Sequence, residues 1–217
     1  MILDARSQRQ RALAEAAMRV DRCRLCEIGS SRRNSVYGEG DPKASLMIVG
    51  EGPGQTEDAQ GRPFIGRAGQ LLEKMLGAIA LRREDVYICN TVKCRPTEPG
   101  ARGLRNRAPL PAEMAHCRPF LDEQIAIIRP SVLLALGVPA AKAFLGKDFL
   151  IGKQRGIWFA GPQGIPLMVT FHPAYLLRQT GGNFEAVTAL VGDDLQAVRS
   201  KLEASGFGQV GASQALS

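Results

Sequence analysis

The stretch LMIVGEGPGQTEDAQGRPFIGRAGQLL, residues 46–72, constrains the fold more than any other part of the chain. Its apolar run at 46–49 predicts a buried strand, and Leu71, Leu72, Met75 and Leu76 fall on one face of a following helix. Between them lies a polar, glycine-rich loop. In open α/β sheets ligands bind beyond the carboxyl ends of the strands, so residues 50–66 are the candidate pocket.

That loop is a poor nucleotide cradle. GEGPG is not followed by the G-K-[ST] of a P-loop, and Pro53 interrupts a G-x-G-x-x-G pattern. The carboxylates of Glu51, Glu57 and Asp58 would repel a triphosphate unless a metal intervened. A neutral ligand fits better.

Further strands are predicted at 86–92, 131–137, 157–160 and 166–170, the last two forming a hairpin about the turn at 161–164. Helices are predicted at 7–20, from 111 to the stop at Pro130, at 139–145 and at 184–202. Residues 30–43 read as a basic linker, and 96–111 as a loop rich in Pro, Gly and Arg whose composition suits either a phosphate contact or a solvated segment. The alternation predicts an α/β fold, a three-layer α/β/α sandwich with a mostly parallel central sheet of four or five strands.

With 217 residues and 45% apolar content the chain is expected to form one domain over residues 1–202, followed by a disordered tail at 203–217. No segment has the apolar length of a membrane span and no signal peptide is evident, which predicts a soluble, cytoplasmic protein. The net charge of +7 favours a polyanionic partner, nucleic acid before an anionic membrane.

Five cysteines without an export signal point to a metal centre rather than to disulfides. Cys23 and Cys26 form a C-x2-C pair, and Cys94 and Cys117 complete a set of four. Cys89 is left inside a strand, where it is expected to pack as a small hydrophobe on the face opposite Asn90. Zinc and a four-iron cluster both accept such a set, and spacing does not choose between them.

Two polar residues stand out. Asn90 lies in an apolar run, where an amide needs a partner, either a loop backbone or a ligand. His172 follows the strand at 166–170, in the zone where the Glu51 loop is also expected.

Taken together, GEGPG with Glu57 and Asp58 downstream, GRPFIGRAGQLL, NTVKCRP, the four ordered cysteines and HPAYLLR resemble the family-4 uracil-DNA glycosylases, the iron-sulfur branch of the uracil-DNA glycosylase superfamily. The resemblance covers roughly residues 13–202. It implies a monofunctional glycosylase that hydrolyses the N-glycosidic bond of deoxyuridine in DNA and leaves an abasic site. It also implies a structural [4Fe-4S] cluster on Cys23, Cys26, Cys94 and Cys117.

Under that resemblance Glu51 and His172 are the catalytic candidates, and Gly50, Glu51, Gly52, Phe64, Asn90 and His172 surround uracil. The Asn90 amide donates to O4 and accepts from N3–H, a pattern that cytosine mismatches. Gly54 offers no wall against the thymine methyl, which leaves Glu57 as the candidate. Arg62, Arg67, Lys93, Arg95 and Arg178 are candidate DNA contacts, and Leu176 or Leu177 a candidate wedge into the vacated stack. The expected partner is uracil-containing DNA, double-stranded and also single-stranded, bound by a monomer.

Two alternatives accompany this reading. The segment between Cys94 and Cys117 is longer than the family pattern, with the excess at 97–105, and a related branch traps uracil-DNA covalently through a histidine in an arginine-rich loop there. This loop has arginines but no histidine, since His116 sits beside Cys117, so a turnover enzyme is preferred. A non-catalytic iron-sulfur or zinc module that binds nucleic acid would share the charge and the cysteines, but not the residues gathered at strand ends.

Overall fold

The computed structural model describes residues 4–101 and 103–207. The strands are β1 (Glu39–Gly40), β2 (Leu46–Gly50), β3 (Tyr87–Asn90), β4 (Thr97–Gly100), β5 (Gly103–Asn106), β6 (Val132–Leu136), β7 (Trp158–Ala160) and β8 (Pro166–Thr170). The helices are α1 (Ala5–Arg22), α2 (Glu27–Ser31), α3 (Gln55–Gln60), α4 (Arg67–Gly77), α5 (Pro111–Ile128), α6 (Gly137–Leu145), α7 (Ile151–Gln154), α8 (Pro173–Leu176) and α9 (Gly181–Ala204).

One six-stranded sheet runs in the order β1-β3-β2-β6-β8-β7. Its four inner strands are parallel, and β1 and β7 close the edges antiparallel. The parallel strands are fully buried apolar runs because helices cover both faces. Alternate residues supply two cores: Leu46, Ile48, Ile88 and Leu134 face the side of α4 and α9, while Met47, Val49, Cys89 and Ala135 face α1 and α5. Cys89 thus packs in the core, on the face expected of it. This is the three-layer α/β/α sandwich, with one strand more than expected.

The extra strand is β1, two residues long and inside the segment read as a linker. Residues 96–111 also hold more structure than their composition suggests. There β4 and β5 pair as an antiparallel hairpin, Glu98 opposite Arg105, and the two side chains form an ion pair at 3.0 Å. Arg107 holds the base of this hairpin, donating to the Thr97 carbonyl at 3.0 Å and pairing with the buried Glu113. The final helix begins at Gly181 and runs through Glu203, so the expected tail starts later than 203. Residues 208–217 of that tail lie outside the described residues. Among the described residues no helix is long and apolar enough to cross a membrane.

Candidate active site

The carboxyl ends of β2, β3 and β8 open into a cleft of ≈ 570 Å³. Gly50 and Asn90, the last residues of β2 and β3, are paired in register. A Cβ on Gly50 would stand 2.4 Å from the Phe64 ring and 2.5 Å from Asn90 Oδ1, so only glycine lets ring and amide converge there. Asn90 is buried, and among the described residues its Oδ1 has no hydrogen-bond partner. A buried orphan acceptor is costly unless a ligand completes it.

Phe64 adopts φ 51, a left-handed conformation unusual for a bulky residue. Such strain persists only where the surroundings over-determine it. Here Arg83 donates to the Phe64 carbonyl at 2.8 Å and also to the Pro63 carbonyl, while its guanidinium is held by Glu39. Gly69 of α4 completes the clamp, because a Cβ there would sit 1.8 Å from the Phe64 carbonyl oxygen.

His172 caps α8, its Nδ1 accepting from the Ala174 amide at 3.0 Å. With Nδ1 an acceptor, the neutral ring carries its proton on Nε2. Burial, aided by the nearby Arg178 cation and opposed by Glu57, pushes the imidazole down to about 4. The ring is therefore neutral at physiological pH. The strand between β2 and β8 is β6, and the residue after it, Gly137, opens α6 with φ +84; a Cβ there would meet the His172 Cβ at 3.0 Å.

Glu51 lines the same cleft, and its carboxyl is raised by burial and lowered in part by Arg178. Its backbone carbonyl accepts from the Thr91 hydroxyl and the Val92 amide, tying the loop to the end of β3. Glu57, in the first turn of α3, accepts from the amides of Ile65 and Gly66 at 3.0 and 2.8 Å. Its other oxygen lies 2.7 Å from where a Gly54 side chain would begin. Glu57 occupies the space that Gly54 leaves open.

The structure therefore brings Gly50, Glu51, Gly52, Phe64, Asn90, Glu57 and His172 to one cleft. Arg67 and Arg178 are exposed and line it. Arg62 is engaged on the surface by Glu39, and Arg95 donates to Asn106 Oδ1 at 2.7 Å. Two expectations are corrected. Lys93 is fully buried and hydrogen-bonded inside the protein, so it is no phosphate contact. Leu176 is 1% exposed and packs in the core, whereas Leu177 is 38% exposed, so the second leucine is the one free to act as a wedge. The hairpin's Asn106 and Arg107 also line the cleft, and neither had a signal in the sequence beyond the basic composition of the loop.

Cys26, Cys94 and Cys117 pack together with Ile28 and Val92, and Cys23 and Cys26 both act electrostatically on Cys117. Arg32 donates to Cys94 Sγ at 2.9 Å. Among the described residues no group of three or more His, Cys, Asp or Glu side chains stands where it could hold a metal ion. The donor types themselves, four cysteines drawn from three segments with Arg32 beside Cys94, are those an iron-sulfur centre uses.

Comparison with known proteins agrees with this geometry. The uracil DNA glycosylase superfamily pattern matches residues 37–196. A type-4 uracil-DNA glycosylase of Thermotoga maritima is 43% identical over 202 residues, covering 91% of this chain and 98% of its own. Type-4 enzymes of Pyrobaculum aerophilum and Sulfurisphaera tokodaii are 40% and 42% identical, covering 79% and 71% of this chain and 88% and 71% of theirs. With the superfamily pattern matched over residues 37–196 and a type-4 relative 43% identical over 98% of its own length, the chain belongs to the type-4 uracil-DNA glycosylases of the uracil DNA glycosylase superfamily.

Proposed function

We propose that this uracil-DNA glycosylase works through a pocket in which Asn90 reads the base and His172 stabilises the departing ring. The orphaned Asn90 Oδ1 carries the reading. Uracil presents N3–H to that acceptor and O4 to the amide donor, whereas cytosine presents the opposite pattern. A base in a duplex must be extruded first, at a cost of about a few kcal/mol, and Phe64 gives the flipped ring an apolar surface.

Cleavage of the glycosidic bond leaves negative charge on uracil. The neutral Nε2–H of His172 donates to O2, where that charge develops, and lowers the barrier without giving up its proton. Glu51, at the same cleft, orients the attacking water or steadies the cationic sugar. Glu57 excludes the thymine methyl from the space above Gly54. Arg67 and Arg178 meet the phosphates, and Leu177 fills the vacated stack.

Cys23, Cys26, Cys94 and Cys117 are assigned as ligands of a [4Fe-4S] cluster. Bound there, the cluster supplies a structural cross-link between the N-terminal segment, the loop after β3 and α5. The unit is read as one domain that acts as a monomer on uracil in duplex and single-stranded DNA. One gel tests the reading: release of uracil from U:G, U:A and single-stranded substrates, with thymine left in place and hypoxanthine run as a comparison. Retention of uracil in all three contexts would sink it.

A further inference from the structure

Lys93 is among the largest fully buried side chains of the protein. Burial pushes its amine below the ordinary lysine value, and every donor it keeps needs an acceptor inside the protein. Here it donates to the Asn90 backbone carbonyl at 2.7 Å and to Gln124 Oε1. Gln124 is itself fixed, its amide donating to the Tyr37 carbonyl at 2.8 Å and to the Tyr87 hydroxyl at 3.1 Å. The Tyr37 ring lies 5.7 Å from Lys93 Nζ, and the Cys89 sulfur is a further hydrogen-bonding neighbour. The Lys93 amide in turn bonds to the Cys117 sulfur.

This arrangement has a direction. Asn90 turns its side chain to the cleft and its carbonyl to Lys93, so the two ends of one residue belong to two systems. Thr91 and Val92 bond back to the carbonyls of Gly50 and Glu51, which fastens the loop on the β2 side. Lys93 fastens it from beneath, on the side of α5. We propose that Lys93 is a positioning residue of the uracil pocket, which holds the Asn90 main chain from inside the core so that its amide is aimed before the base arrives. The inference rests on the reading of Asn90 as the residue that binds uracil.

Such a role acts through Asn90, and a double-mutant cycle isolates it. Lys93→Met keeps an unbranched side chain of similar length and removes the donor. In the holoenzyme it is expected to lower kcat/KM on single-stranded uracil DNA about tenfold, the scale of one lost buried hydrogen bond. The loss should fall mainly on KM and on inhibition by free uracil. On an Asn90→Ala background the same substitution should have no further effect.

An unchanged kcat/KM in Lys93→Met, or the same tenfold loss on the Asn90→Ala background, would overturn the proposal. If Lys93→Met does not fold, Lys93→Gln carries the same cycle, since it keeps a neutral donor towards the Asn90 carbonyl, and a smaller loss confined to the Asn90 background is expected. Failure of the pocket reading itself would look different: full activity in Asn90→Ala, whatever stands at position 93.

Discussion

Phe64 and His172 lie ring against ring, centroids 5.5 Å apart and planes 29° from parallel. One ring is pressed into place by Arg83 and Gly69 from the loop side, and the other is set by the cap of α8. Their contact joins the loop before α4 to the end of β8. In the proposed pocket the stacking surface and the donor for O2 are thereby held against each other.

The first consequence concerns pH. Burial holds the His172 imidazole at about 4 against an ordinary 6.5, so the unfolded chain takes up its proton first. As pH falls from 6.5 towards 4 the native state loses stability, and it loses no more once both states are protonated. The urea midpoint should drop over that window more in the native sequence than in His172→Gln. The acid limb of kcat should fall well below 6.5. Because burial also raises the Glu51 carboxyl, Glu51→Gln should be profiled alongside to assign the limb. A limb at the ordinary histidine value would contradict the neutral donor.

Glu57→Ala empties the space beside Gly54 and removes an acceptor for two loop amides. Thymine should then enter. Discrimination against one methyl group is worth about 10- to 200-fold, and most of it should vanish as the ratio of uracil to thymine excision is measured. A ratio unchanged in the variant would place the wall elsewhere.

For Leu177→Ala the expected loss depends on the substrate. A wedge matters only where a stack must be held open, so excision from duplex U:A should fall about tenfold or more while excision from single strands stays near the native rate. Leu176→Ala should instead lower stability, by about 2–5 kcal/mol for a core leucine, and show as an earlier unfolding midpoint. Equal effects of Leu177→Ala on both substrates would rule out the wedge.

Purified protein should contain iron and acid-labile sulfide in similar amounts, with visible absorbance from the cluster. Cys94→Ser and Cys117→Ser should bleach it and lower the unfolding temperature. Cys89→Ala, in the sheet core, should keep the colour. Zinc without iron would reassign the centre.

Much of this was legible in the chain. Apolar runs located the ends of β2 and β8 at Gly50 and Thr170, whereas the strand expected at 86–92 stops at Asn90; an amide within VYICN nevertheless marks itself as needing a partner. Lys93 was not legible, since a lysine in a basic loop looks solvated until its acceptors, Asn90 and Gln124, are brought to it from distant positions. The left-handed Phe64 was hidden for a related reason: its conformation is imposed by Arg83 and Gly69 and not by its neighbours in sequence. The β4–β5 hairpin is too short for alternation to show, and what pairs it is the cross-strand contact of Glu98 with Arg105.

The middle strand supplies none of the groups assigned to the base, yet the glycine that follows it, Gly137, has φ +84 and would set a Cβ 3.0 Å from the Cβ of His172. β6 therefore brings the head of α6 up against the cap of α8, and the proposed pocket inherits the imidazole's place from a glycine that is not itself one of the groups assigned to the base.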